Sequence, residues 1–178
     1  MSFLEFFERI SLLKIIKDHL ATFKRYKSNR YLFSDIIIIF LFPIVISLLC
    51  TYGFGIAITT ESASLLISIY SIFAGLLFGL QIFMFDVISR AATQDIPVKW
   101  KRTRIDKIEY VALNVSFEIS VCLLGVFGLV ILEFLGLSAS KIAILLDIYL
   151  FSTFVLVLLS IIKGIHVLMT DAISNARE

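Results

Sequence analysis

Apolar residues in this chain arrive as long unbroken blocks, and the few charges fall between the blocks. The clearest block runs from Tyr110 to Leu132, 23 residues in which Glu118 is the only ionisable side chain other than the flanking tyrosine and a cysteine. At a rise of about 1.5 Å per residue it is long enough to cross a hydrocarbon core of about 30 Å. Three further blocks read the same way. Asp35 opens an uncharged run with a usable span from Ile36 to Phe54, containing Pro43 and ending at Thr51, Tyr52, Gly53 and Gly55. A proline in a membrane helix frees a carbonyl that neighbours must satisfy and can kink the helix. The next span runs uncharged from Ser62 to Phe85 and stops at Asp86. The last is less clean, because only 15 residues separate Asp147 from Lys163. It must carry a charge, and is drawn from Ile148 to Met169 with Lys163 and His166 in its last turns.

Ahead of these, residues 1–30 have helical periodicity. Phe3, Phe6, Phe7, Ile10, Leu13, Ile16, Leu20 and Phe23 recur at steps of three and four, with Glu5, Glu8, Lys14, Asp18 and Arg25 mostly elsewhere. Such a helix either lies in the membrane interface or docks on a neighbouring subunit. The expected architecture is therefore an all-α membrane protein: four transmembrane helices, 31–178, plus an N-terminal amphipathic helix, 1–30. A polar, basic segment at 87–109 joins the second and third spans and extends their helices into the cytoplasm.

Composition agrees, with 60% hydrophobic residues and a mean hydropathy of +1.01 over 178 residues. A cleavable signal peptide does not fit, because charges interrupt the first 30 residues throughout. Cys50 and Cys122 lie inside apolar runs and read as buried thiols. The net charge of +2 matters less than its placement. Residues 1–35 hold seven lysines and arginines, 87–109 hold six, the tail from Lys163 holds two, and the opposite loops hold only Lys141. That asymmetry predicts both termini and the central segment to be cytoplasmic, in the inner (plasma) membrane of a bacterium.

An ionisable side chain inside a span is costly unless it faces protein or water, which makes Glu118 the first functional candidate. Asn114, Glu118, Cys122 and Gly125 share one face of the third helix. Tyr149, Thr153, Ser160 and Lys163 form a stripe on the fourth, with Gly164 beside it. Counted from Tyr110 and from Met169, Glu118 lies about 12 Å deep and Lys163 about 9 Å, so a meeting of the two is expected, within one chain or between subunits. Glu118 and Lys163 then form a polar contact that fixes helix register, or Lys163 only snorkels to the interface, or Asn114, Glu118, Thr153, Ser160 and Lys163 line a hydrated pore or gate. Ser71, Gly75 and Gly79, four apart, leave one face of the second span nearly bare and suit close helix packing, first within the chain.

In the central segment, Lys99, Trp100, Lys101, Arg102 and Arg104 offer phosphate partners and a stacking surface. They serve equally as contacts for anionic lipid headgroups. No nucleotide-binding, metalloprotease or nucleophile-elbow motif occurs, and His19 and His166 belong to no cluster at metal spacing. The expectation is a non-enzyme without cofactor or metal. Four spans enclose little space, so a pore needs several subunits and a homo-oligomer is expected.

The pattern Lys27-Ser-Asn-Arg-Tyr-Leu-Phe-Ser-Asp35, and Ser71-Ile-Phe-Ala-Gly-Leu-Leu-Phe-Gly-Leu-Gln81 followed by Asp86, resembles small four-span bacterial membrane effectors of anti-phage defence, the Hailong-type membrane effectors. The likeness covers roughly residues 1–90. It implies an oligomeric inner-membrane channel, closed until infection and then opened to depolarise the cell. It also implies a nucleotidyltransferase partner whose oligonucleotide product binds the effector, with the basic residues at 99–104 as candidates for that contact. The alternative is a non-conducting membrane anchor that recruits a cytoplasmic protein through residues 1–30.

Overall fold

The computed structural model describes residues 12–26, 37–56, 59–93, 98–137 and 140–175, leaving aside the side chains of 21–26, 91–93, 98–104 and 175. The described elements are all helical: α1 (Leu12–Tyr26), α2 (Ile37–Gly53), α3 (Thr60–Thr93), α4 (Val98–Phe134) and α5 (Lys141–Asn175). The N-terminal part of the expected amphipathic helix, residues 1–11, lies outside the described residues.

Local chemistry sets the helix ends. The helix α3 opens on a capping box in which the Ser62 amide donates to Thr59 Oγ1 (3.2 Å) and the Thr59 amide donates to Ser62 Oγ (2.8 Å). The helix α4 closes at Gly136, whose φ of +65° suits a residue without Cβ, and the Leu137 amide donates back to the Leu132 carbonyl at 2.8 Å. Ser140 then caps α5 by accepting from the Ala143 amide at 3.2 Å. The helix α2 is built of an α-helical centre, Phe42–Leu48, between π-helical turns at Ile37–Leu41 and Leu49–Gly53. Pro43 falls in the first turn of the central piece, where a missing N–H costs least. The expected mid-span kink is thus a junction between two helical pitches.

Among the described residues, three helices are long and apolar enough to cross a membrane: Thr60–Arg90, Ile105–Phe134 and Lys141–Ser174. The first expected span, Ile36–Phe54, corresponds to Ile37–Gly53, a shorter apolar helix whose 17 residues would rise only about 26 Å as an ideal α-helix. The basic segment is helical almost throughout, since α3 continues to Thr93 and α4 begins at Val98.

The helix α4 is the centre of the bundle. Half of its most apolar stretch is buried, against 22% for α3 and 33% for α5. It packs along both of those helices and carries α1 on a further side, while α2 rests on α5. The core includes Tyr70, Val111, Val115, Cys122, Leu129, Val157 and Ile161. Outward faces carry large apolar side chains such as Ile82 and Phe85 on α3, both more than 70% exposed, as expected of a surface that meets lipid tails.

The small-residue face of α3 is not where helices approach most closely. A Cβ at Gly75 or Gly79 would meet nothing within 4 Å, and Ser71 is exposed, so the expected intrachain packing through these three residues is not formed. The close approaches lie at Gly125 and Gly164. A Cβ at Gly125 would stand 2.7–3.0 Å from three atoms of the Tyr70 ring, and one at Gly164 would stand 2.7 Å from Val111 Cγ2. Gly125→Ala should therefore destabilise the bundle by about 1–3 kcal/mol despite the better helix propensity of alanine. Gly75→Ala and Gly79→Ala should leave protomer stability unchanged or slightly raised. Thermal unfolding in detergent, followed by circular dichroism, checks the contrast.

Candidate functional site

The interior face of α4 brings together one polar residue per turn. Asn114, Glu118 and Cys122 are each buried, Glu118 completely. Asn114 Nδ2 donates to the Tyr110 carbonyl at 2.7 Å, a local bond within α4. Neither Glu118 carboxyl oxygen has a hydrogen-bond partner among the described residues. That is uncommon, because buried polar atoms are almost always bonded and an unpaired carboxyl in an apolar interior is expensive. Across the contact, α5 contributes Thr153, buried with its hydroxyl unpartnered, and α3 contributes Tyr70, likewise buried with an unpartnered hydroxyl. Asp147 on α5 is also buried, and its Oδ2 lacks a partner. The Tyr70 ring lies against Gly125, on the α4 face that also carries Glu118 and Cys122.

Gly125 gives Tyr70 its place, because the ring lies directly on the glycine backbone. The ring also meets Phe154 edge-on, with centroids 5.6 Å apart, and Phe73 closes on the same phenylalanine at 5.1 Å. Aromatic packing therefore fixes a phenol beside the polar face of α4. Both cysteines are free thiols, Cys122 buried and Cys50 half-buried.

The expected meeting of Glu118 and Lys163 does not occur within the protomer. Lys163 is exposed, whereas Glu118 has no access to the protomer surface. The register of α4 against α5 explains why. Tyr110 Oη lies 3.2 Å from Ser160 Oγ, and a Cβ on Gly164 would abut Val111. Tyr110 is therefore level with Ser160 and Gly164 and not with Met169, so depths counted from Tyr110 and Met169 start from different heights. In this antiparallel register the residue across from Glu118 is close to Val157, itself fully buried. Lys163 stands six residues away, about 9 Å along the axis. Ser160 is accordingly part of a helix–helix contact, and the ion pair at this end of the bundle joins Lys107 to Asp171.

The residues expected to line a pore thus divide. Asn114, Glu118 and Thr153 are each buried inside one protomer, and cannot line an axis shared between subunits without the protomer opening. Lys163 stays outside the cluster. Lys99, Trp100, Lys101, Arg102 and Arg104 occupy the first turns of α4, and their side chains lie outside the described residues.

Three members of the site escaped the sequence reading. Tyr70 stands in the middle of an uncharged span with nothing to single it out. Asp147 was visible as the charge dividing the last apolar block, but the span was drawn to begin after it. His19 is the third. It is completely buried and its ring stacks on Phe117 with centroids 4.0 Å apart and planes within 4°. The buried face of α1 is therefore centred on Ile15 and His19, while Leu13, from the apolar stripe, is 77% exposed.

Burial holds His19 well below its ordinary value, at about 4. The ring is neutral at pH 7. Because the docked form has the depressed value, docking is fully supported above about 6.5 and weakens as pH falls from there toward 4. Lys14, Lys17 and Asp18 on α1 and Glu118 on α4 are the charged or titratable groups nearest in the chain to this contact. Hydrogen–deuterium exchange should show α1 losing protection between pH 7 and pH 5 after correction for intrinsic rates. His19→Phe, which keeps the stack, should abolish that loss.

Comparison of the chain with protein-family models, curated proteins and solved structures finds no match.

Proposed function

We propose that the protein is a gated, ion-conducting membrane effector that works as a homo-oligomer in the bacterial inner membrane. In this reading α2 joins α3, α4 and α5 as a fourth span and both termini face the cytoplasm, as the distribution of lysine and arginine favours. The observation that supports conduction best is the group of buried, unpartnered polar side chains, Glu118, Tyr70, Thr153 and Asp147, in the interior of the bundle. Membrane proteins keep such groups where ions, protons or water pass. The resemblance to anti-phage effectors supplies the biological setting, in which opening depolarises an infected cell. It also supplies the controlling partner, a nucleotidyltransferase acting through its oligonucleotide product. The basic first turns of α4, Lys99 to Arg104, are then the site where that ligand is sensed, with anionic lipid as the competing occupant.

A non-conducting anchor is the second reading. The apolar side chains Leu12, Leu13 and Ile16, exposed on α1, favour it, since they offer a surface to a cytoplasmic partner. Against it stands the docking of α1 on α4 through His19.

Potassium efflux from liposomes containing the purified oligomer tests the reading. Flux above that of protein-free liposomes is expected, and short oligonucleotides should suppress it. Replacing Lys99, Lys101, Arg102 and Arg104 together by glutamine should reduce the oligonucleotide effect at least tenfold and leave basal flux in place. An intact oligomer without flux under any condition would replace the channel by the anchor.

A further inference from the structure

Unpartnered polar atoms occur on several helices, Thr51, Gln81 and Glu133 among them, and one group of them surrounds a single face of α4. That face carries Asn114 Oδ1 and both Glu118 oxygens, continues through Cys122 to Gly125, and meets the Tyr70 ring at Gly125. Eleven residues separate Asn114 from Gly125, about 17 Å of helix and more than half of a hydrocarbon core of about 30 Å. Thr153 faces this column from α5, and Asp147, six residues nearer the start of α5, extends it toward the end where α4 closes. At its other end stand His19, stacked on Phe117, and then the Tyr110–Ser160 contact and the Lys107–Asp171 ion pair. The groups along the column are an imidazole, a carboxyl, a phenol and a second carboxyl. Each can accept and release a proton, and unpartnered oxygens in a polar interior suit bridging water.

We propose that each protomer carries protons through its own interior, with Glu118 as the relay carboxyl between the His19–Asn114 end and the Tyr70–Asp147 end. This deepens the conducting reading and rests on it. In each step one proton passes from a hydronium or a protonated side chain to the lone pair of the next acceptor. Glu118 carboxylate takes the proton as a new O–H bond, and that bond breaks when the proton leaves on the far side. Water restores the donor behind it, and no electron changes place. The path belongs to the protomer, so it needs no pore at a subunit axis. Exposed Lys163 has no part in it.

Proteoliposomes loaded with potassium and a pH-sensitive dye, with valinomycin setting an inward driving force, measure proton uptake. Potassium efflux without the ionophore measures general conduction in the same preparation. Wild-type protein should acidify the lumen faster than protein-free liposomes, Glu118→Gln should slow acidification at least tenfold, and Tyr70→Phe should slow it severalfold. Proton uptake unchanged in a correctly assembled Glu118→Gln oligomer would overturn the relay. Should that variant fail to assemble, an unchanged rate in Tyr70→Phe overturns it instead. Potassium efflux without proton uptake in the wild type leaves the conducting reading standing and removes the relay. No flux of either ion removes both.

Discussion

An unpaired carboxyl in the middle of an apolar helix bundle is a constraint that everything around it must accommodate. Glu118 cannot leave, because α3 and α5 close over its face of α4, and it cannot be neutralised by Lys163, which stands on the outside. Replacement by an aliphatic residue of similar volume would give a drier core, often at no cost in stability. The groups that accompany Glu118 have the same character. Tyr70, Thr153 and Asp147 each put an unpartnered oxygen where a methyl group would pack. Four such positions in one neighbourhood suit a bundle used for something other than packing.

The same neighbourhood depends on how closely the helices approach. Gly125 admits the Tyr70 ring, and Gly164 admits Val111. These two contacts lock α4 to α3 and to α5, and so fix the height at which the polar groups of three helices meet. Without Gly125 the phenol would be held away from α4, and Tyr70 would no longer stand beside the Glu118 face. Packing and candidate chemistry are therefore set by one residue type, used at two positions.

Sequence alone revealed the helical membrane class, the apolar blocks and the standing of Glu118, because length, hydropathy and an isolated charge are local properties. Asn114 and Cys122 were placed correctly on its face, since a spacing of four residues is enough. Register was not legible. The pairing of Tyr110 with Ser160 depends on which side chains on two helices interlock, and counting inward from helix ends cannot supply that. Taking Met169 to be level with Tyr110 displaced Lys163 onto Glu118. The glycine stripe of α3 misled for a similar reason. Spacing shows that a face is small but not what lies against it, and here the working glycines are isolated ones on α4 and α5.

His19 connects the site to the part of the chain outside the central bundle. A histidine that falls beside an apolar stripe reads from sequence as a polar bystander, yet it is the most deeply buried described side chain of α1. Its stack on Phe117 places it one residue from Glu118 along α4 and three from Asn114, which lies on the Glu118 face. Any movement of α1 must therefore disturb the polar face of α4, which makes this amphipathic helix an internal component of the site. An anchor helix needs only an apolar face and a linker. Burying a neutral imidazole against the most polar part of the core serves no such purpose, and it favours the reading in which α1 helps to govern what passes along α4.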